Sequence, residues 1–158
     1  MSALFIICLV GILACGTLDF WQRVIFMIVR VPPTNWAMVG RWVIILIKNR
    51  VWVQSNLSQQ IQYKNELVIG WCFHYIVAIA YALFYFFLSK TGLVAFNIFD
   101  GAVFGMVSVV VPWFFFMPAM GSGFLGNKTP NPFLACTLAL VAHTIFGGAI
   151  GLLFSFFY

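Results

Sequence analysis

LVIGWCFHYIVAIAYALFYFFL, residues 67–88, contains no Lys, Arg, Asp or Glu. A helix needs about 20 apolar residues to cross the hydrocarbon core of a bilayer. This stretch has that length, and its one histidine is His74. The rest of the chain has the same character. It is 64% hydrophobic and 7% charged over 158 residues, where a soluble domain carries about 25% charged residues. So small a globule cannot hide that much apolar surface from water. The solvent implied is lipid.

Three further apolar runs follow the same logic. The first covers residues 3–31, is interrupted in hydropathy by Asp19, Gln22 and Arg23, and is closed by Pro32 and Pro33. It lacks a positively charged beginning, and ILAC is a poor lipoprotein cleavage site, so it reads as a true span rather than a signal peptide. The other two cover 93–117 and 133–158. Pro118 marks the break after the third span, and Pro112 inside it predicts a kink. Between spans one and two lies WAMVGRWVIILIKNRVWV, residues 36–53, apolar but carrying Arg41, Lys48, Arg50 and three tryptophans. That mixture suits a helix lying along the headgroups. The polar segment QSNLSQQIQYKN, 54–65, then reads as a surface loop. The expected fold is all-α: a four-transmembrane-helix bundle with an interfacial amphipathic helix between spans one and two, forming a single integral membrane domain over 1–158.

Net charge is +5, with no dense basic run, which argues against nucleic acid as a partner. In a membrane protein the position of the charges carries the information. Loop one holds Arg41, Lys48, Arg50 and Lys64, with Arg30 at its edge. Loop three holds Lys128, and the turn between spans two and three holds only Lys90. Loops one and three therefore face the cytoplasm, and both termini face outward. Asn35, Asn65 and Asn131, the last followed by Pro132, are placed to cap the interfacial helix, span two and span four. Capped helix starts with Arg41, Lys64 and Lys128 nearby favour an anion, either a lipid headgroup or a specific ligand.

The stretch GSGFLGNKT, 121–129, invites reading as a phosphate loop. The pattern GxxxxGK[ST] fails, because Asn127 follows Gly126 and Lys128 comes one place late. The preceding element is a membrane helix rather than a strand. Glycosylation-like triplets at Asn56 and Asn127 fall on the expected cytoplasmic side and carry no weight.

Ionisable groups inside a span are costly and mark function by default. At 1.5 Å rise per residue across a core of about 30 Å, Asp19 lies roughly 8 Å, His74 roughly 10 Å and His143 roughly 15 Å from the cytoplasmic side. Three ionisable groups from three spans thus share a depth. A sparse repeat also aligns them: Ile76/Ile145, Ala80/Ala149 and Phe87/Phe156 follow the two histidines at equal spacing. The expected polar intramembrane centre is therefore Asp19, His74 and His143. It would relay protons or hold an ion or small ligand. The plainer alternative pairs Asp19 with Arg23 one turn on and leaves the histidines as structural hydrogen-bonders. Weak metal or haem candidates are His74, His143, Met117 and Met120, but no recognised ligand spacing supports them, and no cofactor is required.

Asp100 lies beside Asn97 at the outer edge of span three. Gly101/Gly105 and Gly147/Gly151 have the small-xxx-small spacing of close helix packing, within the bundle or between protomers. Cys8, Cys15, Cys72 and Cys136 fall in apolar runs without a CxxC pair and read as buried thiols. Nothing in the sequence defines a catalytic residue.

PPTNWAMVGRW (32–42), GWCFHY (70–75), MPAMGSG (117–123), TPNP (129–132) and HTIFGG (143–148), with Asp19 in the first span, together resemble a bacterial family of small integral membrane proteins. That family is catalogued as a domain of unknown function, number twenty-nine thirty-eight. The resemblance implies a bacterial inner-membrane protein and brings no reaction, substrate or catalytic residue. The function expected is a non-enzymatic membrane protein with a polar centre. The alternatives are a structural or accessory subunit of a membrane complex, and a haem- or metal-binding membrane protein.

Overall fold

In a computed structural model describing residues 2–54 and 56–158, the chain is helical, with no strand among the described residues. Its helices are α1 (Ala3–Val29), α2 (Trp36–Asn49), α3 (Glu66–Lys90), α4 (Ile98–Ser108), the short α5 (Met117–Ala119) and α6 (Pro132–Phe154). Four segments are long and apolar enough to cross a membrane: α1, α3, Ile98–Ala119 and α6. The chain is a multi-pass membrane protein by that measure.

The helix ends follow local chemistry. Ser2 caps α1, its hydroxyl accepting from the Phe5 N–H at 3.4 Å. Arg30 turns into the left-handed region (φ 60°) ahead of the two prolines and returns its N–H to the Phe26 carbonyl. Asn35 caps α2 through its side chain, accepting from Met38 N–H at 3.2 Å. Asn131 does the same for α6, accepting from Leu134 N–H at 3.0 Å. Asn65 serves α3 through its backbone carbonyl, which takes the Ile69 N–H.

Several boundaries differ from the hydropathy reading, and α6, expected to run to residue 158, ends at Phe154. The third span starts at Ile98 rather than at Leu93. Asn97 is extended (φ −150°) and accepts from Asp100 N–H, while the Asp100 carboxylate takes the Ala95 N–H at 2.6 Å. These two side-chain hydrogen bonds fix the helix start, so the apolar residues before it lie in the turn. α2 ends at Asn49 with Arg50 left-handed (φ 55°), short of the expected residue 53. Pro112, which lacks an N–H to continue the ladder, opens a π-helical turn over Pro112–Phe116, closed by Met117 N–H to the Pro112 carbonyl.

The chain divides into two compact units. The first comprises residues up to Pro33, Tyr75–Val109 and Leu140–Tyr158. It is a four-helix bundle of α1, the later part of α3, α4 and the later part of α6. Val10, Ala14, Cys15, Ala82, Tyr85, Ile150 and Phe154 are fully buried at its centre. The glycine stripes set its tightest crossing. A Cβ on Gly101 would strike the Gly147 carbonyl oxygen, and one on Gly105 would strike the His143 carbonyl oxygen. Gly147 faces Gly101 and Gly105 in return, and Gly151 faces Asn97 and Gly101. The small-xxx-small faces of α4 and α6 therefore pack on each other within the chain.

The second unit comprises Thr34–His74 and Val110–Ala139. Its core is Trp42, Ile45, Leu57 and Ala119, with Trp52, Phe73 and Phe116 packed around them. α2 crosses the start of α3 at a second glycine pair. A Cβ on Gly40 would meet the Glu66 carbonyl, and one on Gly70 would meet the Trp36 carbonyl. Only glycine allows backbones this close.

Candidate functional site

His143 lies in the first unit on α6. Its own carbonyl abuts Gly105, so α4 passes at backbone distance. One turn on from Gly105, the Ser108 side chain reaches the His143 ring: Oγ lies 2.8 Å from Nδ1. Ser108 Oγ also lies 2.7 Å from the Gly105 carbonyl oxygen. From α3 the Tyr81 ring stands edge-on to the imidazole, with centroids 6.0 Å apart, and also touches Phe104 and Phe146. The Tyr81 hydroxyl is buried and has no hydrogen-bond partner among the described residues. A buried hydroxyl without a partner costs about 1–3 kcal/mol, and such a group calls for an explanation, of which a functional role is one.

Two other tyrosines on α3 are satisfied. The Tyr75 hydroxyl donates to Asp19 Oδ2 at 3.3 Å. The Tyr85 hydroxyl donates to the Ala95 carbonyl at 2.7 Å. Asp19 is thus held from α3 by Tyr75, while His143 is held from α4 by Ser108. His74 belongs to the second unit. It is 8% exposed and stacks on Trp36 with centroids 3.8 Å apart, and Trp71 on its own helix stands edge-on to it. Within the first unit, Asp19 and His143 meet different hydroxyl partners, Tyr75 and Ser108.

Arg41, expected at an anionic headgroup, points inward instead. Its guanidinium grips both Glu66 oxygens, Nε at 2.9 Å and Nη2 at 2.8 Å. Nη1 donates to the Leu57 and Gln60 carbonyls. The Glu66 hydrogen bonds hold the guanidinium charged, raising its pKa above the ordinary arginine value. With 4% of the residue exposed, little of that charge reaches the surface. Lys64 and Lys128 are exposed. Met120 packs against the Trp42 core, and Met117 Sδ lies against Gly126.

The glycine loop closes on itself. Lys128 N–H donates to the Ser122 carbonyl and Thr129 N–H to the Gly126 carbonyl. Gly121, Gly123 and Gly126 take positive φ, as does Leu125 (φ 52°). The N–H groups of Gly126, Asn127, Lys128 and Thr129, which a phosphate cradle would need free, are bonded to the loop's own carbonyls.

The sequence reading named His143 and did not name its neighbours Ser108 and Tyr81, nor Glu66 as the partner of Arg41. Ser108 had a signal: it sits one turn past the second glycine of a small-xxx-small pair, where helix backbones meet. Tyr81 and Tyr85 are four apart, on one face of α3. Glu66 is one of only three acids in the chain, so a partner for it was worth seeking.

The model of one protein family, described as "Protein of unknown function (DUF2938)", matches residues 8–156. No curated protein and no solved structure matches the chain.

Proposed function

The chain belongs to that family of unknown function, and from its own residues we propose a non-enzymatic membrane protein that handles protons at a polar centre around His143. The observation that carries this is the His143 ring bonded to Ser108, with the Tyr81 ring edge-on to it and the Tyr81 hydroxyl buried without a hydrogen-bond partner among the described residues. Histidine titrates in the physiological range, and an imidazole inside a membrane span is retained at a cost. The side chains meeting it are neutral: Ser108 from α4, Tyr81 from α3 and Phe146 on its own helix. Tyr81 is the titratable one among them.

The same reading places the protein in a bacterial inner membrane with both termini outward, supported by the loop asymmetry of Lys and Arg. α2 then lies along the cytoplasmic interface, with Lys64 and Lys128 toward anionic headgroups.

The test is reconstitution in vesicles containing a pH-sensitive dye, with a potassium diffusion potential as the driving force. Proton flux above that of empty vesicles, lost in His143→Gln, is the expected result. Flux equal to that of empty vesicles would overturn the proposal and favour an accessory subunit, for which co-purification of a stoichiometric membrane partner is the matching measurement.

A further inference from the structure

Ser108 has one hydroxyl proton and two short contacts, to the Gly105 carbonyl oxygen at 2.7 Å and to His143 Nδ1 at 2.8 Å. A carbonyl oxygen only accepts, so that contact takes the hydroxyl proton. The second contact is then a hydrogen bond only when Nδ1 carries a proton and donates it to Oγ. We infer that Ser108 fixes His143 as the Nδ1–H tautomer, leaving Nε2 as the nitrogen that accepts and releases the proton. This rests on the proton-handling reading and adds which atom does the work and which residue positions it.

The geometry makes the contact hard to avoid. Gly105 has no side chain, so α4 lies against the His143 carbonyl. Ser108 follows one helical turn later and is itself 9% exposed. The Gly105 carbonyl lies in the same helix, so the hydroxyl orientation is set locally before the imidazole is considered. A free histidine in water prefers its proton on Nε2, so Ser108 imposes the opposite of the default. The bond also survives protonation, because Nδ1 donates in both the neutral ring and the imidazolium. Protonation at Nε2 therefore leaves the ring anchored, and Ser108 acts as a positioning residue rather than a proton carrier.

The experiment is solid-state nitrogen NMR of histidine-labelled protein in bilayers, at a pH where the imidazoles are neutral. The chain has two histidines, and the spectrum of His143→Gln identifies the signals of His143 by difference. The expected wild-type result is a protonated Nδ1 and a bare Nε2. Ser108→Ala should move the tautomer ratio toward Nε2–H by about tenfold, the worth of one hydrogen bond. Ser108→Thr should restore the wild-type ratio. An Nε2–H ring in the wild type overturns the inference, and so does a ratio that Ser108→Ala leaves unchanged. The wild-type spectrum alone decides the first point, even if a variant fails to fold. The vesicle flux assay is separate: absent flux with an Nδ1–H ring defeats the proton-handling reading and not the tautomer. Flux with an Nε2–H ring does the reverse.

Discussion

Gly101 and Gly147 meet backbone to backbone, each occupying the space where the other's Cβ would stand. Next to Gly147 in sequence, Gly148 looks the same on paper, but a built Cβ meets its nearest atoms, Ile98 Cγ1, the Ile98 carbonyl oxygen and Ala102 Cβ, at 3.6, 3.7 and 3.8 Å. The two glycines should respond oppositely to one methyl group. Gly147→Ala forces α4 and α6 apart and should cost about 1–3 kcal/mol. Gly148→Ala fits in ordinary contact and should gain about 0.5–1 kcal/mol from helix propensity. Reversible unfolding in mixed detergent compares them, and equal effects would contradict the crossing described.

Tyr81 and Tyr85 provide a second contrast. Tyr85→Phe loses the hydrogen bond to the Ala95 carbonyl and should cost about 1 kcal/mol. Tyr81→Phe removes a hydroxyl with no partner among the described residues, so stability should hold or rise. If the hydroxyl assists His143, proton flux in vesicles should fall in the same variant. A gain in stability with a loss of flux is the pattern of a group kept for function.

Glu66→Gln should destabilise the second unit by about 3–5 kcal/mol, because it leaves the Arg41 charge buried without a counter-charge. Replacing both Arg41 and Glu66 by methionine should cost less than the sum of the single changes. A double-mutant cycle from thermal unfolding measures this directly. Additive effects would mean that the pair is not coupled.

Leu125 is held at φ 52° and ψ 28° with 42% of its surface exposed. A left-handed conformation costs a β-carbon residue about 1–2 kcal/mol. Leu125→Gly relieves that strain but adds unfolded-chain freedom, for a net gain of about 0.5–1 kcal/mol. The same unfolding assay reads it, and a loss would show that Leu125 contributes more packing than its exposure suggests.

The spans were legible because a bilayer sets a length and apolar runs reveal it. Residues 67–88 became α3 almost unchanged, extended to Glu66–Lys90. Hydropathy misplaced the start of α4 because Leu93 to Phe96 are as apolar as the helix itself, and only the Asn97–Asp100 cap marks the boundary. His143 was legible as a rare ionisable group in a span. Its Ser108 partner was not, because serines in helices usually bond their own backbone, and this one does so as well as meeting the ring. Arg41 and Glu66 lie 25 residues apart. Nothing local joins them until Gly40 and Gly70 let α2 cross α3.

That pairing has a consequence in time. On the proposed topology, a nascent loop would meet the insertion machinery before α2 has crossed α3, and Arg41 would then count as a full positive charge. Once the helices cross, Glu66 cancels it, and the mature surface no longer presents it to the lipid. On that topology Arg41 would help direct how the chain is threaded, and in the folded protein it fastens α2 to Glu66. On the orientation proposed above, the basic residues that would direct the newly made chain form a larger set than those its finished face would offer to anionic lipid.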